Sequence, residues 1–140
     1  MRESLFLDTN VVLDLLGERD PYYEPAAMIV SLADRNVVTV VVSALTYPTV
    51  HYLLTKFERE HMVRDKIRKF RAITQTSDLT DSIIEKALGS DFRDFEDALQ
   101  YHCALQADCD ILITRNTKDF RKSRIPVLSA EEYLKSRSAH

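Results

Sequence analysis

Six acidic side chains are spaced so that folding can bring them to one site. Asp91, Asp94, Glu96 and Asp97 stand within seven residues of one another. Asp8 directly follows the apolar run Ser4–Leu7, and Asp119 follows a second such run, Ile111–Ile113. Crowded carboxylates raise each other's free energy unless a cation neutralises them. Hard divalent ions such as Mg2+ and Mn2+ take oxygen ligands of this kind and keep several waters. A pair of such ions stabilises both the attacking and the leaving oxygens of a phosphodiester displacement. The residue types therefore point to metal-assisted hydrolysis. Each acid also has a plain structural use: Asp8 and Asp94 suit helix N-caps, Asp97 a first helical turn, and Asp119 a simple turn.

For these acids to meet, the elements between them must deliver them to one edge. Strand-like and helix-like stretches alternate along the chain, the pattern of an α/β layer architecture with a parallel sheet. Ser4–Leu7 reads as a short buried strand, and Thr9 or Asn10 as the cap of a short helix over Val11–Leu16 that Gly17 stops. Pro21 and Pro25 frame a helix whose inward positions are Ala26, Ile29, Val30, Leu32 and Ala33. The β-branched run Val37–Val42 predicts an inner strand buried on both faces. A helix begins near Pro48, and Glu58–Ile73 predicts a basic amphipathic helix with Met62, Ile67 and Phe70 inward. Thr74–Thr76 reads as an edge strand, Asp81–Leu88 and the Phe95 segment as helices, and Ile111–Ile113 and Ile125–Leu128 as strands. Ser129 and Glu132 form a capping box for a last helix. In an open parallel sheet ligands bind outside the carboxyl ends of the strands. Asp8, Ser43, and Thr114-Arg115-Asn116 with Asp119 all fall there.

Composition bounds the rest. A length of 140 residues predicts one domain, and 45% hydrophobic with 29% charged residues is globular usage. Two glycines exclude Gly-rich phosphate loops, and two cysteines, Cys103 and Cys109, read as free thiols in a reducing compartment. No apolar run is long enough to span a bilayer, and the N-terminus does not read as a signal peptide. A soluble cytoplasmic protein without a membrane partner is the expectation. The net charge of −3 argues against nucleic acid, but its distribution does not. Lys56–Arg71 holds seven basic residues against three acids, and Arg115–Arg124 five against one. Either patch suits phosphate contacts or a solvated face. No Gly-x-Ser-x-Gly, Walker or dinucleotide signature is present, and Asn10 stands where a phosphatase loop needs its second Asp. His51, His61, His102 and His140 share no ligand spacing, and His102 reads as a packed polar residue.

The order of these motifs resembles the PIN-domain family. Leu7-Asp8-Thr9-Asn10-Val11-Val12-Leu13-Asp14 is similar to its opening motif and Asp94-Phe95-Glu96-Asp97-Ala98-Leu99-Gln100 to its third. Ile113-Thr114-Arg115-Asn116-Thr117-Lys118-Asp119-Phe120 is similar to its fourth, and Ile125–Ser129 to its closing strand. The resemblance runs over almost the whole chain. It implies a single PIN-like domain over residues 1–140, a three-layer α/β fold with a central parallel sheet of four to five strands flanked by helices. It also implies a metal-dependent ribonuclease using Mg2+ or Mn2+, of the kind found as homodimeric toxins paired with an antitoxin.

Carried over by position, Asp8 and Asp97 match the metal-binding acids. Asn116 stands where many members have Asp, with Asp119 one turn further on as its substitute, and Asp14 matches an accessory acid. Thr9, Thr46 and Thr114 would support the ligands through hydrogen bonds, with Asp94 and Glu96 beside Asp97. Arg115, Lys66 and Lys69 would contact RNA phosphates. One position departs from the pattern: where the family places a Glu stands Thr49, whose hydroxyl can hydrogen-bond a metal-bound water but supplies no charge. That departure and Asn116 motivate the alternative of a degenerate module that binds RNA or protein without cleaving. A phosphohydrolase acting on small molecules at the same edge is a third reading. The sequence does not define the RNA, the cut site, the antitoxin or the number of ions.

Overall fold

Leu5 and Leu7 point to one side of their strand and Phe6 to the other, and all three are fully buried. A strand buried on both faces must lie between two helical layers. The computed structural model, which describes residues 2–138, shows that arrangement. Strands β1 (Glu3–Leu7), β2 (Val38–Ser43), β3 (Gln75–Ser77), β4 (Ile111–Ile113) and β5 (Val127–Leu128) form one parallel sheet in the order β3-β2-β1-β4-β5. Phe6 pairs in register with Val41 and Leu112, and Leu7 with Ile113, so the apolar alternation is continuous across the centre.

Leu5, Leu7, Val40, Val42 and Ile113 face one helical layer. It is built from α1 (Thr9–Leu16), α2 (Tyr23–Asp34), α3 (Thr46–Leu54), α4 (Glu60–Ala72) and α7 (Ala130–Ser138). Phe6, Val41 and Leu112 face the other, α5 (Asp81–Leu88) and α6 (Phe95–Gln106). Each such side chain taken out of water contributes about 1.5–3 kcal/mol. The three-layer α/β architecture is the one anticipated.

Local details differ from the sequence reading in five places. Val37 is exposed and β2 starts one residue later. On α4, Met62 is 50% exposed while Val63 is fully buried. Val63, Ile67 and Phe70 form the i, i+4, i+7 stripe, and Met62 lies 100° off it. Helix α1 begins at Thr9, so its cap position belongs to Asp8 rather than to Thr9 or Asn10. Gly17 ends α1 without a left-handed backbone: its φ is −89°, and a Cβ there would meet the Leu13 carbonyl oxygen at 2.8 Å. The strand expected over Ile125–Leu128 is confined to β5. The Ser129–Glu132 capping box closes in both directions, at 2.8 and 3.0 Å.

No helix among the described residues is long and apolar enough to cross a membrane. His140 lies outside the described residues.

Candidate active site at the carboxyl edge of the sheet

Asp8 leaves β1 where the strand gives way to α1. Its backbone N–H donates to the Ile113 carbonyl at 3.0 Å, which fixes it against the end of β4. The side chain is 2% exposed. It makes no capping hydrogen bond to α1 despite its position; instead Thr114 Oγ1 donates to Asp8 Oδ2 at 2.7 Å. Burial pushes the Asp8 carboxyl above its ordinary value. The Thr114 hydroxyl, the Gln100 amide and the nearby Thr9 and Asn10 N–H groups oppose that rise.

Behind Asp8 lies a buried polar network. Thr9 donates from both N–H (2.8 Å) and Oγ1 (3.1 Å) to Gln100 Oε1. The Thr9 hydroxyl proton is thereby committed, so the 2.8 Å contact between Thr9 Oγ1 and Thr46 Oγ1 has Thr46 as its donor. These three side chains tie α1, α3 and α6 together directly beneath the acidic edge. Gln100 was not singled out from the sequence as a site residue. Its signal was an amide placed three residues after Asp97 in the otherwise apolar run Ala98-Leu99-Tyr101-Cys103. Gln100→Leu leaves the buried Thr9 N–H without an acceptor and is expected to cost about 2 kcal/mol, read from urea unfolding midpoints.

Asp97 enters from the first turn of α6. Asp94 Oδ1 caps that helix by accepting from the Glu96 N–H at 3.1 Å. Asp119 arrives on a short 3₁₀ turn, Thr117–Phe120, anchored by the buried Phe120. The Asp97 carboxyl is pushed up to about 7, first by burial and then by the negative charges of Asp8, Asp94, Asp119 and Glu96. Glu96 is raised as well, by burial and then by Asp94 and Asp8. Five carboxylates thus act on one another across this edge. Asp94, Asp97 and Asp119 line a cleft of about 530 Å³ whose rim carries Arg93, Lys118, Arg121 and Lys122.

A PIN domain family model matches residues 4–118. The chain belongs to the PIN-domain family. This PIN domain is 28% identical over 136 residues to "Ribonuclease VapC1" of Aquifex aeolicus (strain VF5), covering 94% of this chain and 93% of that protein. Its fold is also that of the chain solved in a toxin–antitoxin complex from Klebsiella pneumoniae, with TM-score 0.67 and 24% identity over 90% of this chain and 97% of that one. A chain of VapBC2 from Rickettsia felis, solved bound to a DNA fragment from its promoter, aligns with TM-score 0.65 and 18% identity, covering 90% and 97%.

The other residues singled out in this PIN domain do not line the acidic cleft. Asn116 is exposed and opens on a separate cleft of about 720 Å³, beside Tyr22 and Arg115. Asp14 is 1% exposed and paired with Arg115, whose Nη2 donates to Oδ1 at 3.1 Å. Arg115 Nε lies 2.8 Å from Oδ2 as an ion-pair contact outside hydrogen-bond alignment. Arg19 Nε also lies 3.5 Å from Asp14 Oδ1. The Arg115 guanidinium also stacks on the Tyr22 ring at 4.0 Å, so it is occupied within the fold. Lys66 donates to the Leu16 carbonyl at 3.0 Å and pairs with Glu58 at 2.7 Å. Lys69 pairs with Asp65 at 3.1 Å on the exposed face of α4. Thr49 spends its hydroxyl on the Leu45 carbonyl one helical turn back, at 3.2 Å.

Among the described residues no three His, Cys, Asp or Glu side chains close into a ready ligand cage. The donor set nevertheless fits a hard divalent ion. Mg2+ is commonly held by one or two carboxylates with waters completing the shell. The mutual repulsion recorded at Asp97 is what such an ion would relieve.

Proposed function

We propose that this PIN domain is a divalent-metal-dependent endoribonuclease that hydrolyses RNA phosphodiester bonds and acts as the toxin of a toxin–antitoxin pair. The observation that carries the reading is the convergence of Asp8, Asp94, Glu96 and Asp119 on Asp97 at the carboxyl edge of a parallel sheet. The similarity to a ribonuclease over nearly the whole chain supports it.

In this reading Asp8 and Asp97 hold Mg2+ or Mn2+. The ion supplies positive charge and water activation for in-line attack on phosphorus. Thr114 fixes the Asp8 carboxylate by occupying Oδ2, and Thr9, Thr46 and Gln100 fix the backbone on which Asp8 stands. Asp119, which lines the same cleft as Asp97, completes the ligand set or orients the attacking water. Arg93, Lys118, Arg121 and Lys122 take the flanking phosphates; such contacts position a strand without reading its sequence. Lys66, Lys69 and Arg115 are already engaged within the fold and contribute less. The cytoplasmic setting, self-association and binding of an antitoxin belong to the same reading, and the toxin–antitoxin complexes among the similar structures favour the last.

The back-bonded Thr49 hydroxyl favours a second reading, a domain that retains RNA without cutting it. Incubating a mixed RNA pool with Mn2+, with EDTA, and with the Asp8→Ala variant separates the two. Cleavage is expected with Mn2+ alone and is expected to fall at least about 10²-fold in Asp8→Ala, the scale on which removal of a catalytic electrostatic group acts. RNA binding by the wild type without any metal-dependent cleavage would favour the second reading.

A further inference from the structure

Beside the acidic cleft lies another, of about 670 Å³. Asp91, Phe92 and Lys122 border both this cleft and the acidic one, so the two form one continuous surface. The chemistry reverses between them. Lys86 from the end of α5, His102 from α6, and Lys122 and Arg124 from the segment before β5 face a common space. Asp91 is the one carboxylate among its described lining residues, and it already lies 3.4 Å from Lys122. Neither Lys86 nor Arg124 has an ion-pair partner among the described residues.

In a chain of net charge −3, two uncompensated cations converging beside Lys122 and His102 ask for an anion. The imidazole of His102 is held below its ordinary range by burial and then by Lys86 and Arg124, which places both cations close to it. The floor is aromatic and rigid. The Phe92 ring lies 5.1 Å from Tyr101 and 5.8 Å from Phe120. The Arg124 N–H donates to the Tyr101 hydroxyl at 2.9 Å, which pins the cation-bearing segment to α6. A groove of fixed cations over aromatic rings is how single-stranded nucleic acid is followed without sequence readout. Asp97 and His102 are five residues apart, about 7.5 Å along α6 and about 140° around it, so a strand passing from one cleft to the other advances about two base steps of ~3.4 Å while turning around the helix.

We propose that the Lys86–His102–Lys122–Arg124 cleft carries the RNA strand on one side of the cut, with the cations on successive phosphates and Phe92 under a base. The identity of the strand rests on the ribonuclease reading above. The basic helix α4 is not part of this path, whereas Lys122 and Arg124 belong to the second basic stretch, Arg115–Arg124.

The test is fluorescence anisotropy with a short labelled single-stranded RNA of mixed sequence, in an Asp97→Asn background so that binding is read without cutting. Lys86→Ala/Arg124→Ala is expected to weaken binding about tenfold at low salt. It should also flatten the slope of log K against log[salt] by roughly 1.4, two contacts at ~0.7 each. Lys86→Glu should weaken binding further, whereas Lys135→Ala on α7 should bind as the parent does. Unchanged affinity and slope in the double variant, or no RNA binding by the parent, would overturn the proposal. Metal-dependent cleavage by the wild type reports separately: cleavage with an unchanged slope overturns the cleft alone, and an altered slope without cleavage supports the cleft while removing the nuclease.

Discussion

Arg115→Ala is expected to lower the unfolding free energy by about 3 kcal/mol, the low end of the cost of breaking a buried ion pair. Asp14 is almost fully enclosed, whereas the Arg115 side chain keeps 28% of its surface in water, which is why the lower figure applies. Without the guanidinium, the carboxylate retains only the 3.5 Å contact to the more exposed Arg19, and Tyr22 loses its stacking partner. Burial already raises the Asp14 carboxyl above its ordinary value; Arg115 and then Arg19 pull it back, and Asp8 pushes it up. Removing Arg115 raises it further, so the folded variant favours protonated Asp14. Its deficit should therefore be smallest below about pH 4, the ordinary carboxyl range, and grow as pH rises. Urea unfolding of wild type and variant at pH 5 and pH 8 measures this. Losses under about 1 kcal/mol at both values would show that the pair is not structural. The double replacement Asp14→Leu/Arg115→Met should lose much less than Arg115→Ala alone, because no unpaired charge is left buried.

Asp97→Asn is expected to stabilise the metal-free protein at pH 8. With its carboxyl pushed up to about 7, Asp97 favours the protonated form in the fold. Between about pH 4 and pH 7 the folded state then binds more protons than the unfolded chain, so the stability of the wild type declines as pH rises through that window. The Asn side chain does not titrate and removes the decline. The gain at pH 8 should be on the order of 1 kcal/mol, after discounting for the solvent that reaches this partly exposed group. Mn2+ should raise the melting temperature of the wild type at pH 8 and shift Asp97→Asn far less, since binding to the folded state alone is stabilising. Equal pH dependence in the two proteins, with equal Mn2+ shifts, would contradict the assignment of charge strain to Asp97.

Periodicity carried most of the fold. The alternation at Leu5-Phe6-Leu7 and the β-branched run ending at Val42 were enough to place a doubly buried parallel sheet, and the capping box at Ser129 was visible as spacing alone. Met62 was misplaced because it and Val63 are adjacent apolar residues only 100° apart on α4, and the stripe that Val63 forms with Ile67 and Phe70 is the one that packs inward. The acids Asp8, Asp94, Glu96, Asp97 and Asp119 were legible as a group because strand ends and one helix start must converge at a parallel sheet's edge. The partners of the cations were not legible. Lys66 reaches Leu16 across fifty positions and Arg115 reaches Asp14 across about a hundred, pairings that depend on the whole fold. Gln100 was likewise hidden, since its use as an acceptor depends on Thr9 arriving from the opposite end of the chain. Local charge counts gave the Lys56–Arg71 and Arg115–Arg124 patches the same net charge, and only the fold shows that Lys122 and Arg124 of the second join Lys86 and His102 beside α6.

The most direct measurement of the central claim is a side-by-side assay of RNA cleavage and RNA binding by wild type and Asp97→Asn in Mn2+. The account predicts that cleavage falls at least about 10²-fold in the variant while its RNA affinity is retained or becomes tighter, because one negative charge has left the strand's path. Cleavage that survives Asp97→Asn at the wild-type rate would contradict it, placing the chemistry somewhere other than the acidic edge of the sheet.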